Sequence, residues 1–375
     1  MKLFSADSHV NEPPEAWERV PKVFRDRGPR IVRNPPGLKG LYQVIDGMQP
    51  EAVGVTFLAG KDREAGNFRK HVEDFEWDDW KGPWDPAERL KDMDLDDVET
   101  EVLYPSMARN LYALSDVLLQ NACLRAYNEW LNDYCLQSPK RLLGLAMLSA
   151  LDIEWSTKEL GRCASLGFRG AILPSALPEG QSYASQRFDP LWEVAQDLGL
   201  PICFHENTPQ GRERAAVVQA GKLNAVDRGR SRIRAWIEPQ ITLVDLIFGR
   251  VLERFPSLQF VFAEYELCWV GIVLKTDRAA GRSRSLGLFD QTPTSLPSEY
   301  IRRQVHVTFQ QDRIGILGIE VFGLDNYMWS SDYPHGGSSW PKSQQSVEAV
   351  LRGLPVEAQR KLLWENGAKL YGLGE

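Results

Sequence analysis

Eight short apolar runs recur along the chain, at 3–9, 98–105, 142–149, 168–174, 200–205, 258–265, 305–309 and 326–331. Each has the length of a strand. Between most of them the period lengthens to that of a helix. Over 115–137, Val117, Leu118, Leu124, Tyr127, Trp130, Leu131 and Tyr134 recur at helical spacing. Segments 156–166, 189–199 and 241–255 repeat the theme more briefly, and two of them end at Gly167 and Gly199, as helices often do. A closing amphipathic segment, 356–373, carries Leu362, Leu363, Leu370 and Tyr371. Strand and helix in alternation imply right-handed βαβ units and a parallel sheet. Eight such units predict an α/β fold of the closed (β/α)8 TIM-barrel type, as one domain over 1–375.

Two stretches exceed ordinary connections. A long insertion after the first strand, about 11–97, is rich in proline, tryptophan and acid. A second long loop, about 206–240, follows His205 and carries Arg212, Arg214, Arg228, Arg230, Arg232 and Arg234. Both leave the carboxyl ends of strands, the face on which barrel active sites are built.

Composition narrows the partners. With 43% hydrophobic and 25% charged residues the chain is globular and core-forming. A formal net charge of −7 argues against a nucleic-acid partner. The five cysteines are scattered without CxxC spacing, which disfavours a disulfide frame or a thiolate zinc site. No apolar run reaches membrane-spanning length, and Met1-Lys2-Leu3 runs straight into the first strand without room for a signal peptide. A cytoplasmic protein with a small-molecule partner and no membrane partner is expected. Neither a Walker loop nor a strand-linked GxGxxG is present, so phosphate chemistry is not expected.

The chemistry-bearing residues sit at strand ends. Asp7 and His9, two apart in the first strand, point to one face. His205 ends the fifth strand, Glu264 the sixth and Asp332 the eighth. Two imidazoles and two carboxylates around one divalent ion leave a position for water or substrate, as catalytic sites require. Such mixed N/O donors fit zinc, manganese, iron or cobalt, and donor type alone does not choose; zinc is the first expectation. Taken singly, each residue has a plainer role: a buried strand histidine, or an aspartate in a turn before Pro334. Their joint placement at matching strand ends favours a metal site.

The opening Ser5-Ala6-Asp7-Ser8-His9-Val10-Asn11-Glu12-Pro13, the block Trp329-Ser330-Ser331-Asp332-Tyr333-Pro334-His335 and the terminal Trp364-Glu365-Asn366-Gly367-Ala368 resemble the amidohydrolase-related proteins. The branch resembled contains aminocarboxymuconate-semialdehyde decarboxylase, the resorcylate and carboxyvanillate decarboxylases, and related hydrolases and hydratases. The resemblance implies metal binding by Asp7, His9, His205 and Asp332, and a homodimer. The chain departs from it twice. The first-strand pair is Asp-x-His where relatives often carry His-x-His or Glu-x-His, and Glu264 stands where the decarboxylases have a catalytic histidine.

That second departure makes hydrolysis of a small cyclic or aromatic carboxylate by metal-activated water the first expectation. Non-oxidative decarboxylation or hydration of an aromatic or muconate-like acid is the alternative, and a barrel that only binds metal or ligand the third. Asp332, Glu264 and His335 are the expected acid/base groups. Tyr104, Asn207, Trp84 and Trp236 are candidate substrate contacts, although the tryptophans would equally pack the long segments onto the barrel. His306 lies too far from its strand end, and His71, in a charged stretch, is expected at the solvated surface.

Overall fold

The structure, a computed structural model, describes residues 2–61, 65–211, 225–287, 293–319 and 323–374. Strand β1 (Leu3–Val10) opens the chain. Three short strands follow in the insertion: β2 (Arg30–Arg33), β3 (Leu41–Val44) and β4 (Glu51–Ala52). Then come β5 (Val98–Pro105), β6 (Leu142–Met147), β7 (Gly170–Leu173), β8 (Ile202–His205), β9 (Phe260–Ala263), β10 (Val305–Phe309) and β11 (Tyr327–Trp329). The last seven join β1 in one eight-stranded sheet of order β1-β5-β6-β7-β8-β9-β10-β11, parallel at every pairing. Every residue of β1, β6, β7, β8, β9 and β10 is buried, which is why β6, β7 and β9 read as apolar runs rather than alternating ones. All eight expected strands are present.

The barrel is closed between β11 and β1 by a seam, not a ladder. Asp332 N donates to Asp7 O at 3.1 Å, His9 N to Tyr333 O at 2.5 Å and Ser331 N to the Ser5 hydroxyl at 2.9 Å. The outer helices follow the sequence pattern. Val117–Cys135 is capped by Asp116, whose carboxylate accepts from Leu118 N and Leu119 N, and Ile153–Ser165 by Asp152. The chain turns out of its helices through Gly167 (φ 97°) and Gly199 (φ 64°), conformations that favour glycine.

Two expectations change. The stretch 206–240 is not a loop throughout: helix Ala225–Phe248 runs through it with Pro239 in its interior. Proline and the run of arginines masked the first part of a helix whose large buried apolar residues, Leu243, Leu246 and Ile247, lie beyond the proline in the segment expected to be helical. Arg212 and Arg214 lie outside the described residues. The insertion is also more than a loop. Strands β2–β3–β4 form an antiparallel sheet, and Leu41, Val53, Phe57, Phe75 and Met107 make a small core of their own with Trp77, Trp80 and Trp84 against it. Leu58 N and Ala59 N donate to Pro334 O, which brings the insertion over the mouth of the barrel. Among the described residues no helix is long and apolar enough to cross a membrane.

Candidate metal centre

The site begins with an irregularity in β1. Ser5 lies opposite Glu101 and Ser8 opposite Leu103, so β1 spends one extra residue between these positions. Bulges of this kind re-aim side chains near active sites. Here Ser8 turns to the Glu101 carboxylate (3.1 Å) and the Ser331 hydroxyl (2.9 Å), while Asp7 and His9 turn to His205 and Asp332.

Asp7 Oδ1 lies 3.5 Å from His9 Nε2 and 3.5 Å from His205 Nε2. His9 Nε2 lies 3.5 Å from Asp332 Oδ1, and His205 Nε2 lies 3.3 Å from Glu264 Oε2. Two ligands about 2.1 Å from one tetrahedral ion stand about 3.4 Å apart, so these separations suit a shared cation. Asp7, His9 and His205 all offer ligand atoms within 4.8 Å of one another, as do His9, Asp332 and His335. Residues 9, 205 and 332, from three separate strand ends, are therefore brought together.

The hydrogen bonds around the rings fix which nitrogen faces inward. His9 Nδ1 meets Pro105 O at 3.1 Å and His205 Nδ1 meets Glu206 O at 2.9 Å. A carbonyl only accepts, so in each neutral ring the proton sits on Nδ1 and the Nε2 lone pair points into the cluster. Both Nε2 atoms and both Asp7 carboxylate oxygens are buried and have no hydrogen-bond partner among the described residues. Four unpartnered Lewis bases, all buried and converging, are costly unless a cation sits among them. The donor set fits a divalent ion. Electrostatics agree: burial, then His335 and His205, hold the His9 ring well below its ordinary pKa. Burial also opposes charge on His205, but Asp7 and then Glu264 push that ring up to about 9, so this position attracts positive charge.

Around this centre the other candidates separate. His335 Nδ1 lies 2.9 Å from Asp332 Oδ1 and its Nε2 3.1 Å from the Ser106 hydroxyl, so both nitrogens are engaged. The His335 ring lies 3.9 Å from that of His9, tilted by 33°. Glu264 is the partly open member: its side chain is 28% exposed, and Thr308 Oγ1 accepts from its backbone N–H at 2.9 Å. Tyr104 packs its ring 4.9 Å from that of His205 and is fully buried. Asn207 follows β8 and donates to Glu206 Oε1 at 3.1 Å. Trp84 packs edge-on against Trp77 in the insertion's core, and Trp236 is exposed on the helix Ala225–Phe248; neither is brought to the donors. His306 bonds Gln259, away from the mouth. His71, expected in solvent, is half-buried and donates to Gly54 O.

Three contributors escaped sequence reasoning. Ser106 holds His335. Glu12, fully buried, accepts from Ser106 N and Met107 N, and burial pushes its carboxyl up to about 7. Gly337 leaves room for Asp332, because a Cβ there would lie 2.7 Å from Asp332 Oδ2. Only Glu12 had a signal, its place in the opening block. Backbone strain also gathers here: Asn207 (φ 62°), Glu264 (φ 64°), Glu266 (φ 58°) and Asp332 (φ 53°) all follow strand ends in a region that non-glycine residues seldom occupy.

A family model described as amidohydrolase matches residues 6–373. The chain belongs to the amidohydrolase family. Among curated relatives, it is 28% identical over 187 residues, 48% of this chain and 47% of the relative, to 2-amino-3-carboxymuconate-6-semialdehyde decarboxylase of Dictyostelium discoideum. It is 31% identical over 134 residues, 33% of this chain and 40% of the relative, to gamma-resorcylate decarboxylase of Rhodococcus jostii. The chain thus spans under half the length of these two curated relatives. An amidohydrolase structure from Mycobacterium avium subsp. paratuberculosis superposes with TM-score 0.79 at 21% identity, covering 100% of this chain and 98% of that one. The 5-carboxyvanillate decarboxylase of Novosphingobium aromaticivorans, complexed with manganese and a nitrobenzoic acid, superposes at 0.69 with 18% identity, covering 99% and 96%. At these identities the superpositions speak for the fold, which is that of the amidohydrolase barrels. The curated relatives favour decarboxylation, the alternative in the sequence reading, over hydrolysis.

Proposed function

We propose that this amidohydrolase-family chain is a metal-dependent, non-oxidative carboxy-lyase acting on a small aromatic or muconate-like carboxylic acid. The observation that carries the metal is the convergence of four buried, unpartnered donor atoms on Asp7, His9 and His205. The reaction class is supported by the decarboxylases among its relatives. Asp7, His9, His205 and Asp332 would hold one divalent ion. Manganese is the first to test, since it is the metal named with the carboxyvanillate decarboxylase, and zinc the second. When bound, the ion supplies positive charge against which substrate oxygens and developing negative charge are held.

The chain's own groups handle the proton. The Glu264 carboxyl, partly open and 3.3 Å from His205, delivers a proton to the carbon that bears the carboxylate. The bond from that carbon to the carboxylate then breaks, its electron pair returns to the ring or chain, and carbon dioxide leaves. Glu264 regains its proton from water. His335 orients Asp332 through Nδ1 and is itself oriented by Ser106.

The test is product analysis on manganese-loaded protein with hydroxylated benzoic acids and a muconate-type acid. In heavy water the product should carry one solvent deuteron on the reacting carbon, with carbon dioxide released in equal amount. Incorporation of labelled water oxygen without carbon dioxide release would instead establish hydrolysis. Glu264→Gln should lower turnover by about 10²–10⁴-fold and leave metal content intact.

A further inference from the structure

Beneath the donors lies a buried ion pair with no part in that chemistry. Arg89, on the helix Pro86–Leu95, and Glu101, on β5, meet at 2.6 Å with side chains 0% and 3% exposed. Removing such a pair from water usually costs more than its attraction returns, and well-packed apolar residues often serve stability as well. Arg89 Nη2 even lacks a hydrogen-bond partner among the described residues. The pair's placement accounts for it better than its energy does.

The pair's side-chain hydrogen bonds and its ring contact lead to the barrel's seam. Arg89 Nη1 donates to His9 O at 2.8 Å, and the guanidinium lies 4.1 Å above the Tyr333 ring. The other oxygen of Glu101 accepts from the Ser8 hydroxyl, which meets Ser331 Oγ at 2.9 Å. One ion pair therefore touches the residue between Asp7 and His9, the backbone of His9, and, directly or through one hydroxyl, both neighbours of Asp332. One turn further along the same helix, Asp92 accepts from the Tyr333 hydroxyl and from Trp80 Nε1. These ties lie where β1 and the end of β11 are joined by two backbone hydrogen bonds rather than by a ladder.

We infer that Arg89, braced by Glu101, is a positioning residue that sets the separation between the β1 donors and Asp332, and so tunes metal affinity from outside the site. The inference rests on the metal centre proposed above. The guanidinium fork suits this role because it reaches a carboxylate, a carbonyl and a ring at once, which an ammonium group does not.

The experiment is calorimetric titration of manganese into metal-free protein, with the electron paramagnetic resonance line shape of the bound ion recorded in parallel. The paired substitution Arg89→Met with Glu101→Gln leaves no stranded charge. It should fold, bind manganese about 10–100-fold more weakly and alter the line shape. Arg89→Lys keeps the charge while losing the fork, and should weaken binding in the same direction even if the double variant does not fold. Gly167→Ala, destabilising but remote, should leave affinity and line shape as in wild type. Wild-type affinity in a folded Arg89 variant overturns the inference while sparing the metal site. Failure of the wild type to bind any divalent ion overturns the metal site, and the inference with it.

Discussion

At the scale of single residues, the molecule separates buried histidines by what they meet. His306 sits in β10 with Nε2 2.9 Å from the Gln259 side-chain oxygen, and burial, then Lys369, lower its pKa to about 4. In the unfolded chain it would titrate near 6.5. The unfolded state therefore takes up a proton that the folded state refuses, so stability is complete above about pH 6.5 and declines as pH falls toward 4, by at most about 3 kcal/mol. His306→Gln should lack this part of the acid sensitivity. Urea midpoints of both proteins at pH 7 and 4.5 give the difference, and parallel losses would remove the assignment. Ser106→Ala tests the opposite kind of histidine. With His335 released at Nε2, turnover should fall about 10–100-fold, while an unchanged rate would deny Ser106 any part in orienting the site. The convergence of Asp7, His9, His205 and Asp332 was legible because strand alternation and matching strand-end positions mark them jointly, where each alone has a plainer role. Ser106 and Arg89 were not, because their roles lie in contacts with residues distant in sequence, His335 for one and Tyr333 for the other.

At the scale of elements, helix ends and helix interiors make opposite demands on the same residue. Gly167 adopts φ 97° with nothing within 4 Å of an added Cβ, so Gly167→Ala should cost about 1–2 kcal/mol through backbone strain alone. Gly161 lies within the helix Ile153–Ser165, exposed and equally uncrowded, and Gly161→Ala should stabilise by about 0.5–1 kcal/mol. Denaturant midpoints that shift the same way for both would contradict this. All eight barrel strands were readable because each holds a short cluster of apolar residues, unbroken in β6, β7 and β9 where both faces are buried. Of the helix Ala225–Phe248 only the end was, within the expected segment 241–255 where Leu243, Leu246 and Ile247 are buried; Pro239 breaks the local rule and hid the part before it. The insertion's strands were missed for a related reason: β2 is partly exposed, β4 is two residues long, and their pairing is specified by the partner strand.

At the scale of the whole molecule, a cation shared by β1, β8 and the end of β11 would bind the folded chain and not the unfolded one. Saturating manganese at about 100 times its dissociation constant should then add about 2.7 kcal/mol, seen as a rise in Tm that a chelator reverses. His205→Ala should abolish most of that rise, and an equal rise in this variant would remove His205 from the ligand set. The barrel and its family were legible in the sequence because strand count and strand-end motifs are local properties. The preference for hydrolysis was not secure, because hydrolysis and decarboxylation draw on the same carboxylates and imidazoles. Glu264 alone does not tell them apart.

The donors also impose an order of events on synthesis. Asp7 and His9 stand on the first strand of the barrel, and their partner Asp332 follows the last. A growing chain therefore lacks one donor until every other barrel strand has been made, so cation capture in the finished geometry waits for the end of β11.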